Sequence, residues 1–187
     1  MTSPVIVGIS GASGAVYGIE VLRMVREVGL ESHLIVSENG VRTIAMETPY
    51  SIDDVKSLAS KVYGNKDMGA AISSGSFRTQ GMIVAPCSIK SLSGIANSSS
   101  SNLLIRAADV TLKEKRPLVL MLRETPLHKG HIDLMARAAE IGATIHPPLP
   151  AFYANPKSLE DIVRHSVGRA LDHLGITHDL IKRWPNE

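Results

Sequence analysis

Gly11-Ala12-Ser13-Gly14 follows the apolar run at 5–9 and leads into a helical pattern. Glycines let backbone approach an anion closely, and a helix N-terminus offers free N–H groups and a positive dipole. Ser13 adds a hydroxyl donor. The glycines fall at 8, 11, 14 and 18, which is not the G-x-G-x-x-G spacing of a dinucleotide site. The next apolar run ends in Ser37 where a ribose-binding acid would stand, with Glu38 one place off. Hydroxyls at both ends suit a phosphate better than a ribose diol. The structural alternative is a tight βα turn with a serine cap.

Arg106, Lys113, Arg123 and Arg169 come from separate stretches, and Tyr153 from another. Arginine offers an oxyanion a planar two-pronged donor set, and lysine a point charge. Each alone reads as a solvated surface charge; only Arg123, at a strand's carboxyl end, escapes that default. Glu47 and Glu124 could handle protons if partly buried. A solvated helix position for Glu47 and a structural ion pair with Arg123 for Glu124 are the plainer readings. Cys87 has no identifiable His or Asn partner and reads as a buried thiol. His128 and His131 stand three apart, too few ligands for a metal site. Trp184 either caps a pocket or docks the chain end.

These residues need a scaffold. Apolar runs at 5–9, 33–36, 81–85, 118–122 and 143–145 read as strands buried on both faces. Helical patterns fill 15–28, 53–63, 88–96, 102–115, 132–141 and 158–174, the last with a serine cap and acids in its first turn. Strands alternating with helices imply an α/β fold, a three-layer doubly wound parallel sheet of the Rossmann or flavodoxin-like kind. In such sheets ligands sit beyond the strands' carboxyl ends. Ser13, Ser37, Cys87-Ser88, Arg123-Glu124 and Tyr153 follow those ends within a few residues.

The chain has 187 residues, which suits one domain, with a tail from about 176 to 187. Twenty basic against 18 acidic side chains leave a net charge of +2, and aromatics are only 4%. That gives no footprint for nucleic acid or a membrane surface. One cysteine excludes an internal disulfide framework. The start, MTSPVIVGISG, lacks a basic segment before a long apolar run, and no stretch of about 18 apolar residues occurs. A cytoplasmic protein is expected.

The ordered series of motifs resembles the flavin prenyltransferase family, the UbiX group once described as aromatic acid decarboxylases. The resemblance covers nearly the whole chain. It rests on Gly11-Ala12-Ser13-Gly14-Ala15, Ser74-Gly75-Ser76, Pro86-Cys87-Ser88 and the block LIRAADVTLKEKRPLVL at 104–120. Arg123-Glu124-Thr125-Pro126, Phe152-Tyr153, Arg169 and Arg183-Trp184 complete it. It implies an enzyme that binds reduced FMN and dimethylallyl phosphate and joins the five-carbon unit to N5 and C6 of the flavin. The prenylated FMN then serves a UbiD-type decarboxylase. It also implies a metal-independent homo-oligomer, usually a dodecamer.

Carried over by position, the resemblance assigns FMN to Gly11, Ala12, Ser13, Ser37, Ser88, Ile89, Lys90, Ser91 and Arg123. It assigns the prenyl phosphate to Lys113, Tyr153 and Arg169, with Arg106 as helper. Glu47 and Glu124 become the acid/base carboxylates, with Ser13 a proton relay and the released phosphate an alternative base. Two phosphates held at once would explain four scattered cations. A small chain enclosing two ligands also suggests a site shared between subunits. Lys90 and the serine run at 98–101 depart from the family pattern.

Three other readings compete. An FMN-dependent decarboxylase of cysteine-type substrates would show a Pro-x-Met-Asn segment and a catalytic His, and Arg123-Glu124-Thr125-Pro126 stands instead. Direct decarboxylation of an aromatic acid uses no further residues. A non-enzymatic flavin carrier would have no use for Lys113, Tyr153 and Arg169 converging.

Overall fold

The computed structural model describes residues 3–184. β1 (Val5–Ile9), β4 (Gly81–Cys87) and β5 (Leu118–Leu122) are buried at every position, as strands with helices on both faces must be. β2 (Ser32–Val36), β3 (Lys61–Gly64) and β6 (Ala143–Ile145) complete a six-stranded sheet in the order β3-β2-β1-β4-β5-β6. All five pairings are parallel.

Side chains alternate between two layers. Val5, Val7 and Ile9 face one core with residues of α1 (Ala15–Glu27), α2 (Glu38–Glu47), α3 (Ile52–Ser57) and α7 (Leu159–Asp172). Ile6 faces the other, with α4 (Ile89–Ala96), α5 (Leu103–Lys113) and α6 (Lys129–Glu140). The chain winds outward from β1 to β3, then returns beside β1 to wind the other way. The carboxyl ends of β1 and β4 are therefore the switch point, where an open sheet leaves a crevice.

One expectation needs correction. The stretch 53–63 is not one helix: α3 ends at Ser57 and β3 follows. A capping box of Ser51 and Asp54 starts the short helix. Burial of Tyr63, whose hydroxyl lies 3.1 Å from Nδ1 of His33, fixes the strand. A strand this short, buried at one position, leaves no alternation to read. α2 follows Ser37, which is its N-cap, so Glu47 stands on a helix as its plainer reading had it. The segment expected as a tail from about 176 packs onto the domain where it is described. Ile176 and His178 are buried, and Leu180 and Ile181 pack against the first core; the expected tail's last residues, 185–187, lie outside the described ones. Among the described residues no helix is long and apolar enough to cross a membrane.

Candidate functional site

Three helix N-termini converge over the switch point. α1 starts after Gly14, whose φ of 104° is in the left-handed region that glycine tolerates. α2 starts at Ser37, whose Oγ accepts the Gly40 N–H at 3.0 Å. α4 starts at Ser88, whose Oγ accepts the Ser91 N–H and donates to Ser91 Oγ, both at 3.2 Å. Two contacts fasten the starts together. A Cβ on Gly11 would stand 2.3 Å from Asn39 Cβ, so the β1–α1 loop lies directly on α2. Buried Ser10 Oγ donates to Pro86 O at 2.7 Å and accepts the Ser88 N–H at 2.8 Å, binding the loop to α4. First-turn N–H groups lack intrahelical acceptors, so this cradle suits the phosphate of a bound FMN.

Gly11, Ala12, Ser13, Ser37, Ser88, Ile89, Lys90 and Ser91 all belong to this cradle. Ile89 is half-buried against the second core, whereas Lys90 is exposed. Arg123 stands at the end of β5, its N–H donating to Cys87 O at 3.1 Å, and its charge reaches both Glu47 and Tyr17.

Glu47 turns back from the end of α2 onto the start of α1. Its Oε2 accepts the Gly14 N–H at 2.7 Å and the Ala15 N–H at 3.3 Å. Burial pushes its pKa up, but hydrogen bonds from Gly14, Ser13 and Ala15 and the Arg123 charge outweigh that and hold it below the ordinary carboxylate range. It is an anion at neutral pH and accepts protons rather than giving them. Glu124, beside Arg123, is exposed and, among the described residues, accepts only its neighbour Thr125's N–H, at 3.1 Å, which leaves it free to turn. Burial pushes the Cys87 thiol up to about 12, which removes it as a nucleophile.

Tyr153 and Arg169 lie in a second cluster. Tyr153 Oη is 3.1 Å from His165 Nε2, and its ring meets Trp184 edge-on at 5.1 Å. His165, Arg169 and Asp172 share one stripe of α7. A cleft of about 240 Å³ opens beside them, lined in part by Ala151, Ala154, His165 and Ile181.

Lys113 and Arg106 are not brought to either cluster within the chain. Lys113 ends α5, on the face of the sheet opposite α7, and pairs with Glu114 close to Gly75. Arg106 donates to Ser73 O and, at 3.0 Å, to Asp109. Sequence reasoning missed Ser10, His165 and Asp172. Ser10 directly precedes the Gly11–Gly14 loop, but only its burial shows that it is a joint. The i, i+4, i+7 spacing of 165, 169 and 172 was a signal available in the α7 pattern.

A family model described as Flavoprotein matches residues 2–171. A flavin prenyltransferase UbiX of Thauera aromatica is 58% identical over 180 residues, covering 96% of this chain and 93% of the relative. The flavin prenyltransferase UbiX of Escherichia coli (strain K12) is 54% identical over 182 residues, covering 96% of each. The fold superposes with a TM-score of 0.97 on AnUbiX (PadA1) in complex with FMN and dimethylallyl pyrophosphate, 43% identical and covering 100% of both chains. A dodecameric FMN-dependent UbiX-like decarboxylase of Escherichia coli O157:H7 gives 0.94 at 47% identity, covering 98% of this chain and 100% of that one.

Proposed function

This chain belongs to the Flavoprotein family and, within it, to the UbiX flavin prenyltransferases, and from that premise we propose how its residues perform the reaction. The enzyme prenylates FMN. The donor is dimethylallyl phosphate, the bonds form at N5 and C6 of reduced FMN, and the prenylated FMN passes to a UbiD-type decarboxylase in the cytoplasm. One observation carries the residue assignment: three helix N-termini form one anion cradle beside Arg123, and a separate cationic cluster with a phenol stands on α7. A flavin carrier has no use for the second cluster.

Gly11, Ala12, Ser13, Ser37 and the first turn of α4, from Ser88 through Ile89 and Lys90 to Ser91, hold FMN. Arg123, at the end of β5, would add its charge to the same site. When bound, reduced FMN supplies the nucleophilic nitrogen and carbon. Arg169 and Tyr153 donate to the prenyl phosphate, and their donors stabilise it as the allylic C–O bond breaks and charge grows on oxygen. Ser13 and Glu47 form a relay whose carboxylate end is ionised. Glu124 takes the proton lost when the ring closes at C6.

Lys113, with Arg106 helping, comes from a neighbouring copy. Their distance from both clusters supports this. So do Met46, Phe152 and Leu149, which are 83%, 81% and 74% exposed, large apolar surfaces suited to contacts between copies. The homo-oligomer is a dodecamer on this reading.

The test is anaerobic incubation of purified protein with reduced FMN and dimethylallyl phosphate, followed by mass spectrometry of the flavin. A flavin heavier by one dimethylallyl unit is expected. Unchanged FMN from protein shown to bind it would overturn the reading.

A further inference from the structure

Asp172 accepts two guanidinium groups at once. Arg169 Nη1 lies 2.5 Å from Oδ2, and Arg183 reaches Oδ2 and Oδ1 at 2.8 Å each. His178, with a fully buried side chain, brings Nε2 to 3.3 Å from Oδ1. The contacts are unequal. Arg169 holds the carboxylate by one nitrogen, whereas Arg183 holds it by two and also donates to His178 O at 3.0 Å. The segment carrying Arg183 is fixed on α7. Gly168 leaves room for Ile181, since a Cβ there would stand 2.4 Å from Ile181 Cγ2. Lys182 O lies 3.1 Å from His165 Nε2, and His178 Nε2 lies 3.0 Å from Gly168 O.

One carboxylate between two guanidiniums leaves a positive charge over, tempered at longer range by Asp179, which acts on Arg183. Side-chain exposure is 45% for Arg169 against 18% for Asp172, so the arginine can leave while the carboxylate stays. If Arg169 were the sole partner, its departure would strand a half-buried anion, a costly change. With Arg183 in place, the anion keeps its two-pronged partner.

We propose that Arg183 is a positioning residue that frees Arg169 for the prenyl phosphate: it neutralises Asp172 permanently, so that Arg169 exchanges its single bond to Asp172 for the incoming phosphate. The exchange breaks one N–H···O contact and makes another, with no proton transferred. The proposal rests on the assignment of Arg169 to the prenyl phosphate. It adds that the C-terminal segment sets the strength of that site.

The experiment measures KM for dimethylallyl phosphate, with FMN affinity and thermal unfolding as controls, in Arg183→Gln, Asp172→Asn, Arg183→Gln/Asp172→Asn and Arg169→Ala. Arg183→Gln leaves Asp172 clamped on Arg169 and raises KM about tenfold, the scale of one charge-assisted contact. Adding Asp172→Asn frees Arg169 again and restores KM to within about threefold of wild type, the sign of direct coupling. A merely structural clamp predicts the opposite, since losing a second partner loosens the segment further. If Arg183→Gln unfolds, Asp172→Asn alone decides: an unchanged or lower KM supports the exchange, and a raised KM overturns it. If Arg169→Ala leaves KM unchanged, the Arg169 assignment itself fails. If Arg169→Ala raises KM but Arg183→Gln does not, or Asp172→Asn gives no restoration, the exchange alone is refuted.

Discussion

Glu47 Oε2 lies 2.7 Å from the backbone nitrogen of Gly14, so the last residue of α2 caps the first turn of α1. Neither helix carries this cap in its own sequence: Gly14 has no side chain to offer, and the acceptor arrives 33 positions later. The contact joins the phosphate loop to α2 and fixes a negative charge beside Ser13.

That cap makes a pH-dependent prediction. The Glu47 pKa is depressed in the fold, so its contribution is present above the unfolded value of about 4.3 and is lost as pH falls through the folded value. Glu47→Gln is expected to destabilise by about 0.5 kcal/mol at neutral pH, the scale of an exposed charge on a helix terminus. Urea unfolding at pH 7 and again at pH 3 measures this. The difference between the two proteins should be smaller at the lower pH.

Gly11→Ala forces the β1–α1 loop away from α2, because the new methyl meets Asn39 Cβ at 2.3 Å. Overpacking of this kind costs about 1–3 kcal/mol. The displacement falls on the cradle itself, so FMN affinity, followed by flavin fluorescence quenching, should drop at least tenfold, about 1.4 kcal/mol. Wild-type affinity would show that the loop does not shape the flavin site.

Ser10→Ala removes a hydroxyl that serves Pro86 O and the Ser88 N–H together. Two backbone groups lose their partner, at a cost of about 1–3 kcal/mol. Thermal unfolding should fall by about 2–4 °C per kcal/mol lost in a chain of this size. The loss should appear without FMN, since the joint is buried and made within the protein alone.

Glu124→Gln tests the proton acceptor. Turnover at saturating substrates should fall about 100-fold or more, as expected when a positioned base is lost. Stability should change by less than about 0.5 kcal/mol, because the side chain is exposed. FMN affinity should hold. Unchanged turnover would transfer the proton to the released phosphate.

Lys113→Ala and Arg169→Ala test the shared site together. Each homogeneous variant should be strongly impaired. Subunits of the two, dissociated and reassembled as a mixture, should regain activity, because some sites then draw an intact Lys113 from one copy and an intact Arg169 from the next. No recovery from mixed oligomers, verified by mass, would place both cations in one chain's site.

Much of this was legible in order along the chain. β5 was read at its observed bounds, because a strand buried on both faces is a continuous apolar run that needs no partner to be recognised. α7 was legible from its cap, since Ser158 and Asp161 satisfy each other's backbone groups locally. The doubly wound class followed from the alternation, and the location of Ser13, Ser37, Ser88 and Arg123 from the rule that loops after strands carry the site. β3 was hidden, because an edge strand buried only at Tyr63 has no pattern of its own.

The sequence by itself determined which segments bury their side chains and which loops lie at the carboxyl ends of the strands, because those depend on spacing over a few residues. Only the tertiary structure decided that Glu47 caps α1, that Ser10 ties two loops, that Lys113 lies away from Tyr153 and Arg169, and that two arginines share Asp172. Each joins residues that different crossovers carry to one point or apart. Closing the sheet fixes those distances, and no local periodicity encodes them.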